Sequence, residues 1–126
     1  MPAHGAFFTP SLVWIRDRNS QLCCADVFGP VLSIDSFEGE ADAIGQAGHN
    51  RLGLAASVWS ADFARAQRVA KRLHAGTVWI NSHGRFAPEI EVCGYKESGF
   101  GRLFGRQGPD DCLQAKHISW SLEQSS

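Results

Sequence analysis

Residues 52–81 read "LGLAASVWSADFARAQRVAKRLHAGTVWIN", and the periodicity changes twice within them. "LGLAASVW" is an apolar run with no helical spacing, closed by a serine, and reads as a strand. Ser60 is placed to cap a helix beginning at 61. Between 61 and 74, Phe63, Ala66, Ala70 and Leu73, joined by Val69, recur at intervals of three and four and make the apolar stripe of that helix. Arg65, Arg68, Lys71 and Arg72 fall mainly off that stripe, so the basic run reads as a solvated helix face and not as a nucleic-acid surface. Gly76 is expected to end the helix at positive φ, and "TVWI" comes at once as another apolar strand.

Upstream, the Gly29-Pro30 turn opens "VLSIDSF", whose apolar residues do not alternate cleanly with polar ones, as expected of a strand covered on both faces. From Glu40, "EADAIGQAGHN" places Ala41, Ile44 and Ala47 on one face of a short helix. The resulting order is β-α-β-α-β. Strands separated by helices pair in parallel through right-handed crossovers, so the expected fold class is α/β with a parallel sheet layer. Beyond it come a long glycine-rich loop from 81 to 102 and an extended C-terminal strand over "KHISWSL" at 116–122. No internal repeat interrupts a single domain over 1–126.

Bulk properties narrow the function. At 126 residues, with 44% hydrophobic and 20% charged residues, the chain has the make-up of one folded domain. Twelve Lys and Arg against 13 Asp and Glu leave no net field for nucleic acid or anionic lipid. The apolar runs are too short to span a bilayer and no charged leader opens the chain, so a cytoplasmic protein is expected. The cysteines at 23, 24, 93 and 112 form no C-x-x-C pair or zinc-ligand spacing, and His4, His49, His74, His83 and His117 include no H-x-x-x-H pair; no metal site is expected. "GFGRLFG" at 99–105 has the wrong glycine spacing for a dinucleotide turn and is preceded by a loop. Cys93 with His83 nearby in sequence is a nucleophile-and-base pattern in principle, but a small residue filling a gap is the expected account of Cys93.

A set of motifs in fixed order says more. "GAFFTPSL" (5–12), "DVFGPVLSI" (26–34), "HNRLGLAASVW" (49–59), "AGTVWIN" (75–81), "GYKESGFGR" (94–102) and "KHISW" (116–120) together resemble the C-terminal part of the NAD(P)-dependent aldehyde dehydrogenases, from Gly5 to about Trp120. The resemblance implies that Asp26 grips the nicotinamide ribose and Phe28 touches the nicotinamide end of the cofactor. A carboxylate suits a ribose diol and an aromatic face suits a planar ring. The family usually has glutamate at position 26, and aspartate is shorter by one methylene. On the substrate side the resemblance implies Asn81, Phe86 and Val92, with Phe86 lining the tunnel, Val92 replacing a tunnel aromatic and Glu91 placing a carboxylate near its mouth. Leu103, Pro109 and Cys112 are further departures from the family pattern.

The family reaction needs a nucleophilic cysteine, a glutamate base and a Rossmann turn, and no position here matches them, so no catalytic residue is assigned. The expected function is that of a C-terminal fragment of an aldehyde dehydrogenase, inactive alone, using NAD or NADP in the complete enzyme and holding neither tightly by itself. Its expected partner is a complementary N-terminal half or a second copy, with 116–126 as the oligomerisation tail. The alternative is a non-catalytic assembly or regulatory module docking on full-length subunits.

Overall fold

The computed structural model describes residues 4–121. The elements run β1 (Ser11–Trp14), α1 (Gln21–Cys24), β2 (Val31–Ile34), α2 (Glu40–Ala47), β3 (Leu52–Gly53), β4 (Ala55–Val58), α3 (Phe63–Arg72), β5 (Thr77–Ile80), β6 (Val92–Cys93), β7 (Tyr95–Lys96) and β8 (Arg102–Leu103), closed by a 3-10 turn over Gly108–Cys112. No helix among the described residues is long and apolar enough to cross a membrane.

The centre of the chain is a parallel β-α-β unit. β4 and β5 pair in register from Ala55↔Thr77 to Val58↔Ile80, and α3 packs on both strands with Ala66 fully buried beneath it. The helix starts two residues later than the serine suggests, because Asp62 is the cap: its Oδ1 accepts from the Arg65 N–H at 3.0 Å, while Ser60 Oγ accepts from the Asp62 N–H at 3.1 Å. Lys71 and Arg72 sit in the last turn, where cations favour the helix dipole. Gly76 serves close approach instead of a left-handed turn. It lies outside the left-handed region, and a Cβ there would fall 1.9 Å from the Cys93 carbonyl oxygen.

The continuous three-stranded layer expected from the sequence does not form. β2 pairs in parallel with β1, from Ser11↔Val31 to Trp14↔Ile34, and shares no ladder with β4. Ser11 N–H to the Pro30 carbonyl (2.9 Å) and Ile15 N–H to the Ile34 carbonyl (2.8 Å) extend that pairing at both ends. Pro30 lacks an N–H but still accepts, which suits the entrance of a strand. The helix after β2 turns to α3 instead of carrying β4 alongside, and consecutive strands of an open α/β sheet need not be neighbours. The two remaining ladders, β3 with β7 and β6 with β8, are antiparallel and two residues long.

Little of this is a core. Among the described residues only Ile15 and Ala66 are buried apolar side chains, whereas Leu12, Trp14, Leu32 and Phe37 are each more than 60% exposed. The strand expected to be covered on both faces is therefore open. The accessible surface is 10623 Å², against about 6,600 Å² for a compact chain of 13.7 kDa. Lys116–Ser121 form no ladder, with Ile118 and Trp120 at least 80% exposed, and the end of the expected tail strand and oligomerisation tail at 122–126 lies outside the described residues.

Candidate functional site

Asp26 and Phe28 lie in the exposed link between α1 and β2. Asp26 lines a cavity of about 390 Å³ together with Asn50, Leu54, His74, Glu97 and Ser98, at the foot of β4 and the end of α3. Its carboxylate has no hydrogen-bond or ion-pair partner among the described residues, so both oxygens can accept from hydroxyl donors. Phe28 is 94% exposed and does not line that cavity, which leaves its ring faces uncovered. The chain holds the two side chains close in sequence but only one of them in the concave surface.

At the other end of the strand pair, Asn81 sits at φ 50° directly after β5. Its Oδ1 accepts from the Ser60 N–H and its Nδ2 donates to the Ser60 carbonyl, both at 2.9 Å, so the amide splices the ends of β4 and β5. Beyond it the loop folds back on the strands. Ser57 and Trp79 are register partners, and each fixes one piece of the loop: Ser57 Oγ lies 2.8 Å from His83 Nδ1, and Trp79 Nε1 donates to the Arg85 carbonyl at 2.8 Å. The Trp79 ring meets His83 edge-on at 5.0 Å and Phe86 edge-on at 5.4 Å. Phe86 is thereby placed, still 61% exposed, beside an aromatic neighbour. Val92 stands apart in β6, opposite Leu103 of β8.

The structure separates Cys93 from His83 chemically. Cys93 Sγ donates to the Gly76 carbonyl at 3.8 Å, and His83 is engaged by Ser57. Cys93 is the gap filler under Gly76, and all four cysteines are free. The Glu91 carboxylate accepts from the Arg106 N–H at 3.1 Å; the nearby backbone N–H groups, its own first and then that of Arg106, hold the carboxyl below its usual range, with help from the Arg106 charge.

Two further devices have no clear signal in the sequence. Lys96, at φ 53°, donates from Nζ to the carbonyls of Gly48 (3.1 Å) and Asn50 (2.9 Å), closing the end of α2. Arg68 forks onto both oxygens of Glu40 at 2.9 and 2.7 Å and Arg72 stands 3.9 Å away, so the basic face of α3 is tied to α2. Glu40 is held below its usual range first by that Arg68 hydrogen bond. The only signal for either is a basic residue at a turn or on a helix face.

With these positions in hand, the relatives become informative. The sequence profile of the aldehyde dehydrogenase family matches residues 1–118. The betaine aldehyde dehydrogenase of Bacillus subtilis (strain 168) is 37% identical over 115 residues, covering 91% of this chain and 24% of that protein. Betaine aldehyde dehydrogenase of Staphylococcus aureus in complex with NAD+ superimposes with a TM-score of 0.85 at 41% identity, over 90% of this chain and 23% of that one. The apo form of a variant of the same enzyme gives 0.84 at 41% identity, over 89% and 22%. The chain thus spans about a quarter of the length of the relatives it matches. Both the sequence profile and the backbone agree over nearly all of it, and the chain belongs to the aldehyde dehydrogenase family.

Proposed function

We propose that this chain is the C-terminal part of an aldehyde dehydrogenase that oxidises an aldehyde to a carboxylic acid with NAD or NADP, and that it does no chemistry alone. The observation that carries the reading is the uncovered surface. The accessible area exceeds that of a compact chain of this mass by about 4,000 Å². Even large obligate interfaces bury about 5,000 Å² shared between two partners. A simple dimer therefore leaves much of the excess open, and a larger complementary segment suits it better.

Within that segment's company the residues divide by role. Asp26 accepts from the ribose diol at the nicotinamide end and Phe28 packs beside the ring; nothing here addresses the pyrophosphate or adenosine, so neither cofactor is held tightly by this chain. The cofactor, when bound, supplies the hydride acceptor. The NAD+ complexes of the relatives favour NAD over NADP. Phe86 and Val92 form the substrate side, with Asn81 fixing the loop that carries Phe86. No cysteine is arranged as a nucleophile: Cys93, half-buried, spends its thiol on a backbone carbonyl. The four unpaired cysteines suit the cytoplasm.

The test is complementation. The chain alone, with betaine aldehyde and NAD+, is expected to show no turnover; co-expressed with the upstream three-quarters of the Bacillus subtilis relative it is expected to co-purify and restore NAD+ reduction. Turnover by the chain alone that disappears on Cys93→Ala overturns the reading. A second reading, an assembly module docking on full-length subunits or on a second copy through 116–126, is favoured by the exposure of Ile118 and Trp120. Retention of the chain by the full-length relative, lost on deletion of 116–126, is its signature.

A further inference from the structure

The β6–β8 ladder is two residues long, and it stops where Glu91 begins. In sequence, Val92 pairs with Leu103 and Cys93 with Arg102, so the next rung toward the loop would join residue 91 to residue 104. The backbone does not make it. Phe104 and Gly105 turn instead into the left-handed region, at φ 63° and 57°. The loop is then tied by two other bonds: the Gly105 N–H donates to the Pro88 carbonyl at 2.9 Å, and the Arg106 N–H donates to Glu91 Oε1 at 3.1 Å.

Gly105 is cut to fit this carboxylate. A Cβ there would crowd Glu91 Cδ and lie 2.5 Å from Oε1, so any other residue pushes the carboxylate off the Arg106 N–H as well as straining the backbone.

We propose that Glu91 is a positioning residue: its carboxylate takes the place of the missing ladder rung and fixes the adjacent Val92 wall on the 102–107 segment. This rests on the proposed reading in so far as Val92 faces substrate, but the latch itself is a property of this chain. The charged groups around Glu91 are few. Arg106 lies on the turn and supports the carboxylate. From β8, Arg102 donates from Nη1 to the Phe100 and Gly101 carbonyls at 3.1 and 3.2 Å; from the closing turn, Asp111 accepts from the Arg102 N–H at 3.2 Å.

Hydrogen exchange of the full chain, read by mass spectrometry over segments 88–94 and 102–108, tests the proposal without any cofactor, aldehyde or upstream half. Glu91→Ala should lower protection of both segments about tenfold, the worth of one charge-assisted hydrogen bond. Gly105→Ala should lower it at least as far, since it displaces the same carboxylate and strains the backbone besides. Glu91→Gln keeps an acceptor oxygen in place and should restore most of the protection, whereas a role through packing alone would not separate Gln from the charged residue in pH dependence: wild-type protection should fall on acidification relative to Glu91→Gln. Unchanged protection in Glu91→Ala, or wild-type protection that follows pH as Glu91→Gln does, overturns the proposal. Failure of complementation with intact latch behaviour would instead count against the enzymatic reading alone.

Discussion

Urea unfolding of the isolated chain reads out how much surface its fold buries. An unfolded chain of 13.7 kDa exposes about 19,900 Å², so with 10623 Å² still accessible the folded form buries about 9,200 Å². A compact domain of the same mass buries about 13,300 Å². Since the denaturant slope m scales with the surface exposed on unfolding, the chain alone should show an m-value about 30% below that of compact proteins of its length. The assay is a urea titration monitored by tryptophan fluorescence and circular dichroism, run at two protein concentrations so that dissociation of any self-associated species is seen as a shift in midpoint. Binding of a hydrophobic dye to the native chain should accompany the low slope, because the same area is open to it. A monomer with a full-size m-value and no dye binding would refute the reasoning, since the chain would then be covering its own apolar surface and would need no complementary segment.

Three substitutions test individual devices. Gly76→Ala forces a methyl onto the Cys93 backbone, which no rotamer change relieves, and should cost about 2 kcal/mol, seen as a lower urea midpoint at unchanged slope. Lys96→Met removes two hydrogen bonds to the carbonyls of Gly48 and Asn50 and should cost about 1 kcal/mol at this exposed position, with lost hydrogen-exchange protection at the end of α2. Glu40→Gln tests the sign of a linkage: the folded carboxyl is held below its ordinary value of 4.5 by Arg68, so its contribution is present above that value and is lost as pH falls through the lower folded value. The wild-type advantage over Glu40→Gln should therefore be seen in urea midpoints at neutral pH and vanish in acid.

The parts of the fold legible in the sequence are those with a local cause. The stripe Phe63, Ala66, Val69, Ala70, Leu73 and the runs around it need only neighbours within a few residues, and β4, α3 and β5 stand where it puts them. The cap lies two residues from its expected place because "SAD" offers two capping side chains, and only the distance to the Arg65 N–H chooses Asp62. β1 has no signal as a strand, since four residues behind Pro10 carry no periodicity of their own; it is a strand because β2 is there to pair with it. Gly76 is required, as its place after the helix suggests, but for a different reason: its constraint comes from Cys93, 17 residues away. At the candidate site the same division holds. The candidate residues come from the motifs, but the bonds that shape the segments around them, Ser57 with His83, Trp79 to Arg85 and Lys96 to the end of α2, join stretches whose contact no spacing announces.

The two parallel pairs differ in how much of their apolar surface is covered. β4–β5 carries α3 on one face, so part of its apolar surface is covered from within the chain. β1–β2 has no comparable helix: Leu12, Trp14 and Leu32 stay open although the ladder is fully formed and extended at both ends. Parallel strands are almost always found with both faces covered, and two strands by themselves are marginal in water. Each pair also leaves one edge of each strand unpaired. In the proposed complete enzyme both pairs would be satisfied at once by a wider parallel sheet, with further strands beside them and further helices on the open faces. That arrangement accounts for the separation of β2 from β4 as well: two strands consecutive in the chain can stand apart in a sheet when strands from elsewhere fill the places between them.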